Sequence, residues 1–145
     1  MNKEVKIYSA ELHAFCALPF ADKGIRAGFP SPAQDYIEKS LDLNEALIKH
    51  PASTFFGRVV GDSMKDCGLE EGDILVIDKS LTVYDGAMAV CFIDGEFTIK
   101  FIKKKAGGLW LMPANSAYLP IQVTSENDFM VWGIVTYSIK NRHKR

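Results

Sequence analysis

The sequence has few cysteines and no long hydrophobic run. Its 145 residues include three cysteines, Cys16, Cys67 and Cys91, at wide spacings. An odd number of widely spaced cysteines predicts neither a disulfide framework nor a Cys-x-x-Cys metal site, and it favours reduced thiols. No stretch approaches the roughly 20 apolar residues that span a bilayer, and no signal-peptide core is present. We therefore expect a soluble, cytoplasmic protein with no membrane association.

The sequence also lacks an excess of charge of either sign. It has 17 Lys and Arg against 18 Asp and Glu, a net charge of −1, and 48% hydrophobic residues. Strongly basic composition is the usual electrostatic signature of nucleic-acid binding, and this chain does not have it. The length and the apolar content are those of one ordinary globular domain with its own core.

Histidine is scarce, and the common cofactor motifs are missing. His13, His50 and His143 are the only histidines, and none falls in a predicted strand, so a Ser-His-Asp triad is not favoured. The sequence contains no HExxH, P-loop or GxGxxG motif, and we expect no cofactor and no metal. One acidic cluster could bind a metal, but solvated turn residues are the better interpretation: Asp62, Asp66, Glu70, Glu71 and Asp73.

The order of elements predicts a mainly β fold. Glycine and proline recur between Gly24 and Pro32, which indicates an extended arm. Two short helices should follow, one beginning at Ser31-Pro32 and one at Asp42, the second ending before His50-Pro51. Strand-like runs separated by turn residues then predict an antiparallel sheet, barrel-like or sandwich-like. These runs are residues 54–60, 74–77, 87–93, 96–103, 109–112 and 129–139.

Within this pattern, Gly61-Asp62-Ser63-Met64 stands where the first long strand run ends. Ordinary turn chemistry explains the tetrapeptide well, because glycine tolerates positive φ and Asp and Ser bond to nearby backbone. The alternative is an exposed nucleophilic serine, which needs a base.

A lysine is the candidate base. Asp94-Gly95 between two strand runs predicts a two-residue hairpin, which pairs Ala89 with Lys100 and Cys91 with Thr98. Lys100 then shares a face with small side chains. An arbitrary strand lysine extends to solvent. A lysine enclosed by small neighbours is instead partly dehydrated, and dehydration disfavours the ammonium form.

The sequence resembles the LexA/UmuD-type self-cleaving serine–lysine peptidases, most closely the UmuD branch. The resemblance covers nearly the whole chain and rests on Ala27-Gly28, Gly61-Asp62-Ser63-Met64 and the segment 94–100. It implies that Ser63 is the nucleophile, Lys100 the general base and Ala27–Gly28 the self-cleaved bond. UmuD proteins often have Cys-Gly at that bond, whereas Ala-Gly is the LexA version. Residues 1–27 would be the removed arm and residues 28–145 the peptidase-like domain.

The resemblance also implies partners. Cleavage would be stimulated by RecA on single-stranded DNA, and the cleaved homodimer would serve a UmuC-like Y-family polymerase in error-prone translesion synthesis during the SOS response. Only 27 residues precede the expected bond, too few for a winged-helix domain, so we expect no sequence-specific DNA binding. Two alternatives stay open: a non-catalytic β-rich protein-binding module, and a truncated LexA-like repressor domain.

Overall fold

The computed structural model describes residues 5–9, 17–20 and 39–143, which are mostly antiparallel β-sheet. The prediction of a mainly β fold is confirmed. The strands are β1 Val5–Ser9, β2 Ala17–Phe20, β3 Lys39–Asp42, β4 Thr54–Val59, β5 Ile74–Asp78, β6 Met88–Ile93, β7 Glu96–Lys105, β8 Gly108–Met112, β9 Ile121–Val123 and β10 Phe129–Ile139. The described helices are α1, Leu43–Leu47, and two 3-10 turns, Pro51–Ser53 and Lys65–Cys67.

The chain forms two compact units, and the smaller one lies within Glu11–Pro51. In it, β2 and β3 pair antiparallel, from Ala17 opposite Asp42 to Phe20 opposite Lys39. The Asp42 side chain caps α1 by accepting a hydrogen bond from the Asn44 amide at 3.0 Å. The predicted start of this helix is therefore confirmed. The helix predicted at Ser31-Pro32 lies outside the described residues.

The larger unit contains β1 and all strands from β4 onward. These eight strands form one sheet in the order β1-β4-β5-β10-β6-β7-β8-β9. The edge strands are thus β1 at one side and β9 at the other. Strand β10 pairs with both β5 and β6, and its register shifts between Val131 and Gly133 and again between Val135 and Tyr137. Such β-bulges bend a strand and increase its twist.

The hairpin between β6 and β7 has the predicted register. Ala89 pairs with Lys100, and Ile93 pairs with Glu96. Asp94 and Gly95 have φ angles of 47° and 89°, the positive values that a two-residue type I′ turn requires. The turn therefore fixes which residues of β7 face which side of the sheet.

Both faces of the sheet are packed, and alternation along the strands sorts the side chains between two clusters. Ile99 belongs to the first cluster and Ile102 to the second. The buried members of the first cluster are Val5, Val59, Met64, Leu69, Leu75, Ile77, Val90 and Ile99. Those of the second are Ala87, Ala89, Cys91, Ile102, Leu111 and Ile134.

Four short strands were not predicted from the sequence: β1, β2, β3 and β9. They have three to five residues each, too few for a periodic pattern to stand out. Strand β1 matters most, because it places part of the expected arm in the large sheet. In the described part of the chain, no helix is long and apolar enough to cross a membrane.

Candidate active site

Ser63 lies in the turn that follows β4. Gly61 has a φ of 92°, in the left-handed region that glycine adopts without strain, and the chain reverses there. The Lys65 amide donates to the Asp62 carbonyl at 3.2 Å, and the 3-10 turn begins immediately afterwards. The Ser63 side chain is only 5% exposed. The serine is therefore enclosed, not displayed on an open loop.

A second loop, between β8 and β9, holds this turn in place. The Ala114 amide donates to the Ser63 carbonyl at 2.9 Å, which fixes the serine backbone. The Asn115 side-chain amide donates to the Asp62 carbonyl at 2.9 Å. The Tyr118 hydroxyl donates to the Asp62 carboxylate at 2.7 Å. These bonds join segments more than 50 residues apart in sequence and orient the turn that carries Ser63.

Lys100 approaches Ser63 from β7. Its ammonium nitrogen Nζ donates to Ser63 Oγ at 3.1 Å and to Thr98 Oγ1 at 2.6 Å. The lysine is 3% exposed and Thr98 is also buried. Ala89, its partner across the hairpin, is fully buried and small, which leaves room for the long side chain. The structure thus brings together the two residues that the sequence assigned to nucleophile and base.

A buried thiol, Cys91, neighbours the buried Lys100. Burial raises the pKa of Cys91 to about 12, and the positive charge of Lys100 offsets part of that rise. Cys91 is fully buried on the same face as Lys100. A thiol with so high a pKa stays protonated at neutral pH and is a poor nucleophile. Cys91 therefore supplies no thiolate at neutral pH, whereas the Ser63 hydroxyl lies within hydrogen-bond distance of Lys100.

A hydroxyl beside a buried amine is the arrangement that activates a serine without histidine. The sequence itself matches the Peptidase S24-like family over residues 19–136. The chain belongs to that family. The resemblance stated from the sequence is confirmed at this level, and a serine-peptidase type of fold follows from it.

Several proteins are similar to this Peptidase S24-like chain over most of its length. It is 40% identical over 124 residues to Protein MucA of Salmonella typhimurium, covering 85% of this chain and 84% of that protein. It is 44% identical over 110 residues to Protein SamA of Salmonella typhimurium strain LT2, 76% of each chain. It is 39% identical over 126 residues to Protein ImpA of Shigella flexneri, 83% of this chain and 81% of that protein.

The histidines and the acidic cluster that the sequence offered as other candidates lie in different surroundings from Ser63 and Lys100. His50 and His143 are exposed, and His13 lies outside the described residues. In the acidic cluster, Asp73 pairs with Lys140 at 2.6 Å, and the Glu71 carboxylate accepts from the Gly61 amide at 3.4 Å. Across the described ranges, no group of three or more His, Cys, Asp or Glu is placed to hold a metal ion.

The expected cleavage site, Ala27–Gly28, lies outside the described residues. It falls in the segment 21–38, which connects β2 to β3. In the described strands on either side, Phe20 lies opposite Lys39. That the Ala27–Gly28 bond reaches Ser63 stays a prediction.

Sequence reasoning did not assign roles to Thr98 or to the loop of residues 114–118. For Thr98 a signal existed, because the hairpin register places it on the Lys100 face, two residues away. The side chains of Asn115 and Tyr118 gave no local signal. Their contacts with Asp62 depend on how β8 and β9 return to the turn.

Proposed function

We propose that this protein is a self-cleaving serine–lysine peptidase of the SOS response that hydrolyses its own Ala27–Gly28 bond. One observation supports this above all: Lys100 Nζ lies 3.1 Å from Ser63 Oγ, with both side chains buried. That distance is within the range over which a base takes a proton from a nucleophile. Membership of the Peptidase S24-like family supports the same chemistry.

In the proposed reaction, neutral Lys100 accepts the Ser63 hydroxyl proton while Oγ attacks the carbonyl carbon of Ala27. A neutral amine has two N–H donors and one lone pair. One N–H keeps the hydrogen bond to Thr98 Oγ1, which is 2.6 Å long in the structure. The lone pair accepts a hydrogen bond from the serine hydroxyl. Lysine then returns the proton to the Gly28 amine as the peptide bond breaks, and water hydrolyses the acyl-enzyme.

The negative charge on the Ala27 carbonyl oxygen needs hydrogen-bond donors. The Ser63 backbone amide, with a neighbouring amide of the same turn, is the donor that we assign to it. The bonds from Ala114 and Asn115 to this turn keep those amides oriented before the substrate arrives. Small residues at positions 27 and 28 let the scissile backbone approach the enclosed serine.

Control of the reaction is as important as its chemistry. A tethered substrate has a high effective concentration, up to ~10⁵ M or more in well-oriented cases. The intact protein therefore persists only if the arm rarely occupies the site or Lys100 is mostly protonated. We propose that RecA bound to single-stranded DNA shifts the arm toward the cleavable position. The cleaved homodimer, in the cytoplasm, then assists a UmuC-like Y-family polymerase.

A cleavage assay on the full-length chain tests this function. Wild-type protein incubated with RecA filament should give a fragment whose N-terminus is Gly28, identified by mass spectrometry. Ser63→Ala should stay intact, whereas Ser125→Ala, at an exposed serine, should be cut like wild type. Without RecA, cleavage should accelerate from about pH 7 to about pH 10, because lysine amines lose their protons in that direction.

Two results would contradict the proposal. Cleavage of Ser63→Ala at the same bond would remove Ser63 as the nucleophile. Wild-type protein that stays intact with RecA filament and at high pH would favour the non-catalytic binding module instead.

A further inference from the structure

The first strand lies on the N-terminal side of the proposed cleavage site, yet it is part of the large sheet. Strand β1 pairs with β4 along its whole length, from Val5 opposite Val59 to Ser9 opposite Phe55. Hydrolysis between Ala27 and Gly28 would cut the covalent connection between β1 and the rest of that sheet. It would break none of the hydrogen bonds or packing contacts between β1 and β4.

Strand β1 is an edge strand whose apolar side chains pack into the core. Val5 is 3% exposed and belongs to the first hydrophobic cluster, against which Ile7 also packs. Strand β4 has a glycine, Gly57, beside the Val5 side chain. A Cβ added at Gly57 would lie 2.8 Å from Val5 Cγ1, closer than real contacts allow, and 3.0 Å from Ile77 Cδ1, which is a tight contact. The glycine thus permits close approach of the Val5 side chain.

Loss of β1 would damage the surface that it covers. Strand β4 would become the edge of the sheet, with a row of unpaired backbone groups, which is an aggregation hazard. The hydrophobic cluster that contains Met64, the residue directly after the proposed nucleophile, would also lose Val5. Retention of β1 after cleavage would avoid both effects.

We propose that residues 1–27 remain bound to the cleaved protein chiefly through β1, as a non-covalent strand on the edge of β4, with the pairing of β2 and β3 as a second contact across the cut. This inference rests on the proposed self-cleavage, which would separate β1 from the rest of the chain. The strand that occupies the β4 edge is this chain's own Val5–Ser9. Main-chain pairing along a sheet edge gives affinity, and the buried Val5 gives specificity. Cleavage then replaces a tether, whose effective concentration is ~mM, by an equilibrium that a competing strand can displace.

The test separates strand retention from self-cleavage. The full-length Ser63→Ala chain receives a site for a sequence-specific protease after residue 27 and is nicked by that protease. Size-exclusion chromatography followed by mass spectrometry then shows whether fragment 1–27 co-elutes with the larger fragment. Samples cover roughly 1 µM to roughly 1 mM, which reaches the effective concentration of a tethered segment. We expect co-elution at the upper end and release on dilution.

Two matched variants locate the contact. Val5→Asp places a carboxylate in the apolar cluster and should lower retention by more than about tenfold. Lys6→Asp introduces the same side chain at an exposed position of β1 and should change retention by less than about threefold. Circular dichroism and the unfolding midpoint of each un-nicked variant show that it is folded.

Three outcomes would overturn the inference. Fragment 1–27 would elute alone from the nicked parent even at about 1 mM. Val5→Asp would be retained as well as the parent, which would assign retention to the pairing of β2 with β3 and not to β1. Or release would be accompanied by a rise of the larger fragment's mass above that of the proposed homodimer, which would make a further copy of the chain the occupant of the β4 edge. Because the added protease makes the cut, none of these outcomes depends on Ser63 chemistry.

Discussion

The side-chain nitrogens of two lysines of this protein have different hydrogen-bond partners. The described hydrogen bonds of Lys100 go to hydroxyl oxygens, Ser63 Oγ at 3.1 Å and Thr98 Oγ1 at 2.6 Å. Lys140, after β10, contacts carboxylates, Asp73 Oδ2 at 2.6 Å and Glu70 Oε2 at 3.4 Å. Hydroxyls partner an amine in either protonation state, whereas carboxylates favour the ammonium. The difference suits Lys100 to proton transfer and Lys140 to a fixed ion pair.

The ion pair of Lys140 has a measurable consequence. The hydrogen bond to Asp73, and then the negative charges of Asp73 and Glu70, raise the pKa of Lys140 above its ordinary value. Asp73 is buried, and it also accepts from the Glu70 amide at 3.0 Å. Lys140 therefore neutralises a buried carboxylate beside the Glu70–Asp73 turn, and it stays charged where a base has to be neutral.

The largest expected effect is on the rate of cleavage, and it distinguishes Lys100 from Lys140. Lys100→Ala should lower the rate of appearance of the Gly28 fragment by about 10²–10⁴-fold, because it removes the proposed general base. Lys140→Ala, at a temperature where it is folded, should cleave at nearly the wild-type rate. Equal losses in the two variants would mean that the assay reports stability, and Lys100 would lose its assigned role.

A smaller effect is expected at Thr98, which we regard as a positioning residue for Lys100. Thr98→Val keeps the shape but removes the acceptor of the 2.6 Å bond, and it should slow cleavage by about 10–100-fold. Thr98→Ser keeps the oxygen and should restore most of the rate. A serine variant as slow as the valine variant, with both fully folded, would show that packing by the methyl group matters and the hydrogen bond does not.

The smallest effect concerns stability and its pH dependence at Lys140. Because the folded-state pKa is raised, the ion pair contributes its full stability below the unfolded pKa, about 10.4, and loses it as the pH rises through the higher folded value. In the Ser63→Ala background, Lys140→Met should lower the urea midpoint at pH 7, and the deficit should shrink above about pH 10.4.

Lys103→Met is the matched control, at an exposed lysine of β7, and it should leave the unfolding curve nearly unchanged. A deficit for Lys140→Met that stays constant across the alkaline range would contradict the assignment of the pKa rise to this ion pair.

Local chemistry made much of the sheet predictable. Asp94-Gly95 fixes the register of β6 and β7 by turn geometry, so the pairing of Lys100 with Ala89 followed from two residues. The start of α1 at Asp42 also followed from a capping preference. The short strands β1, β2, β3 and β9 did not, because they are too short for a periodic pattern to stand out, and β1 and β2 also pair with strands distant in sequence.

The candidate site likewise combines features that the local sequence predicts with contacts that it does not predict. The sequence by itself determined that Ser63 lies in a turn after a strand and that Lys100 faces small side chains, since turn preferences and strand alternation act over a few residues. Only the tertiary structure decided that the two meet, at a separation of 37 residues, and that residues 114–118 hold the serine turn. Those contacts depend on the order of strands in the sheet, which burial of two apolar clusters selects and no local pattern encodes.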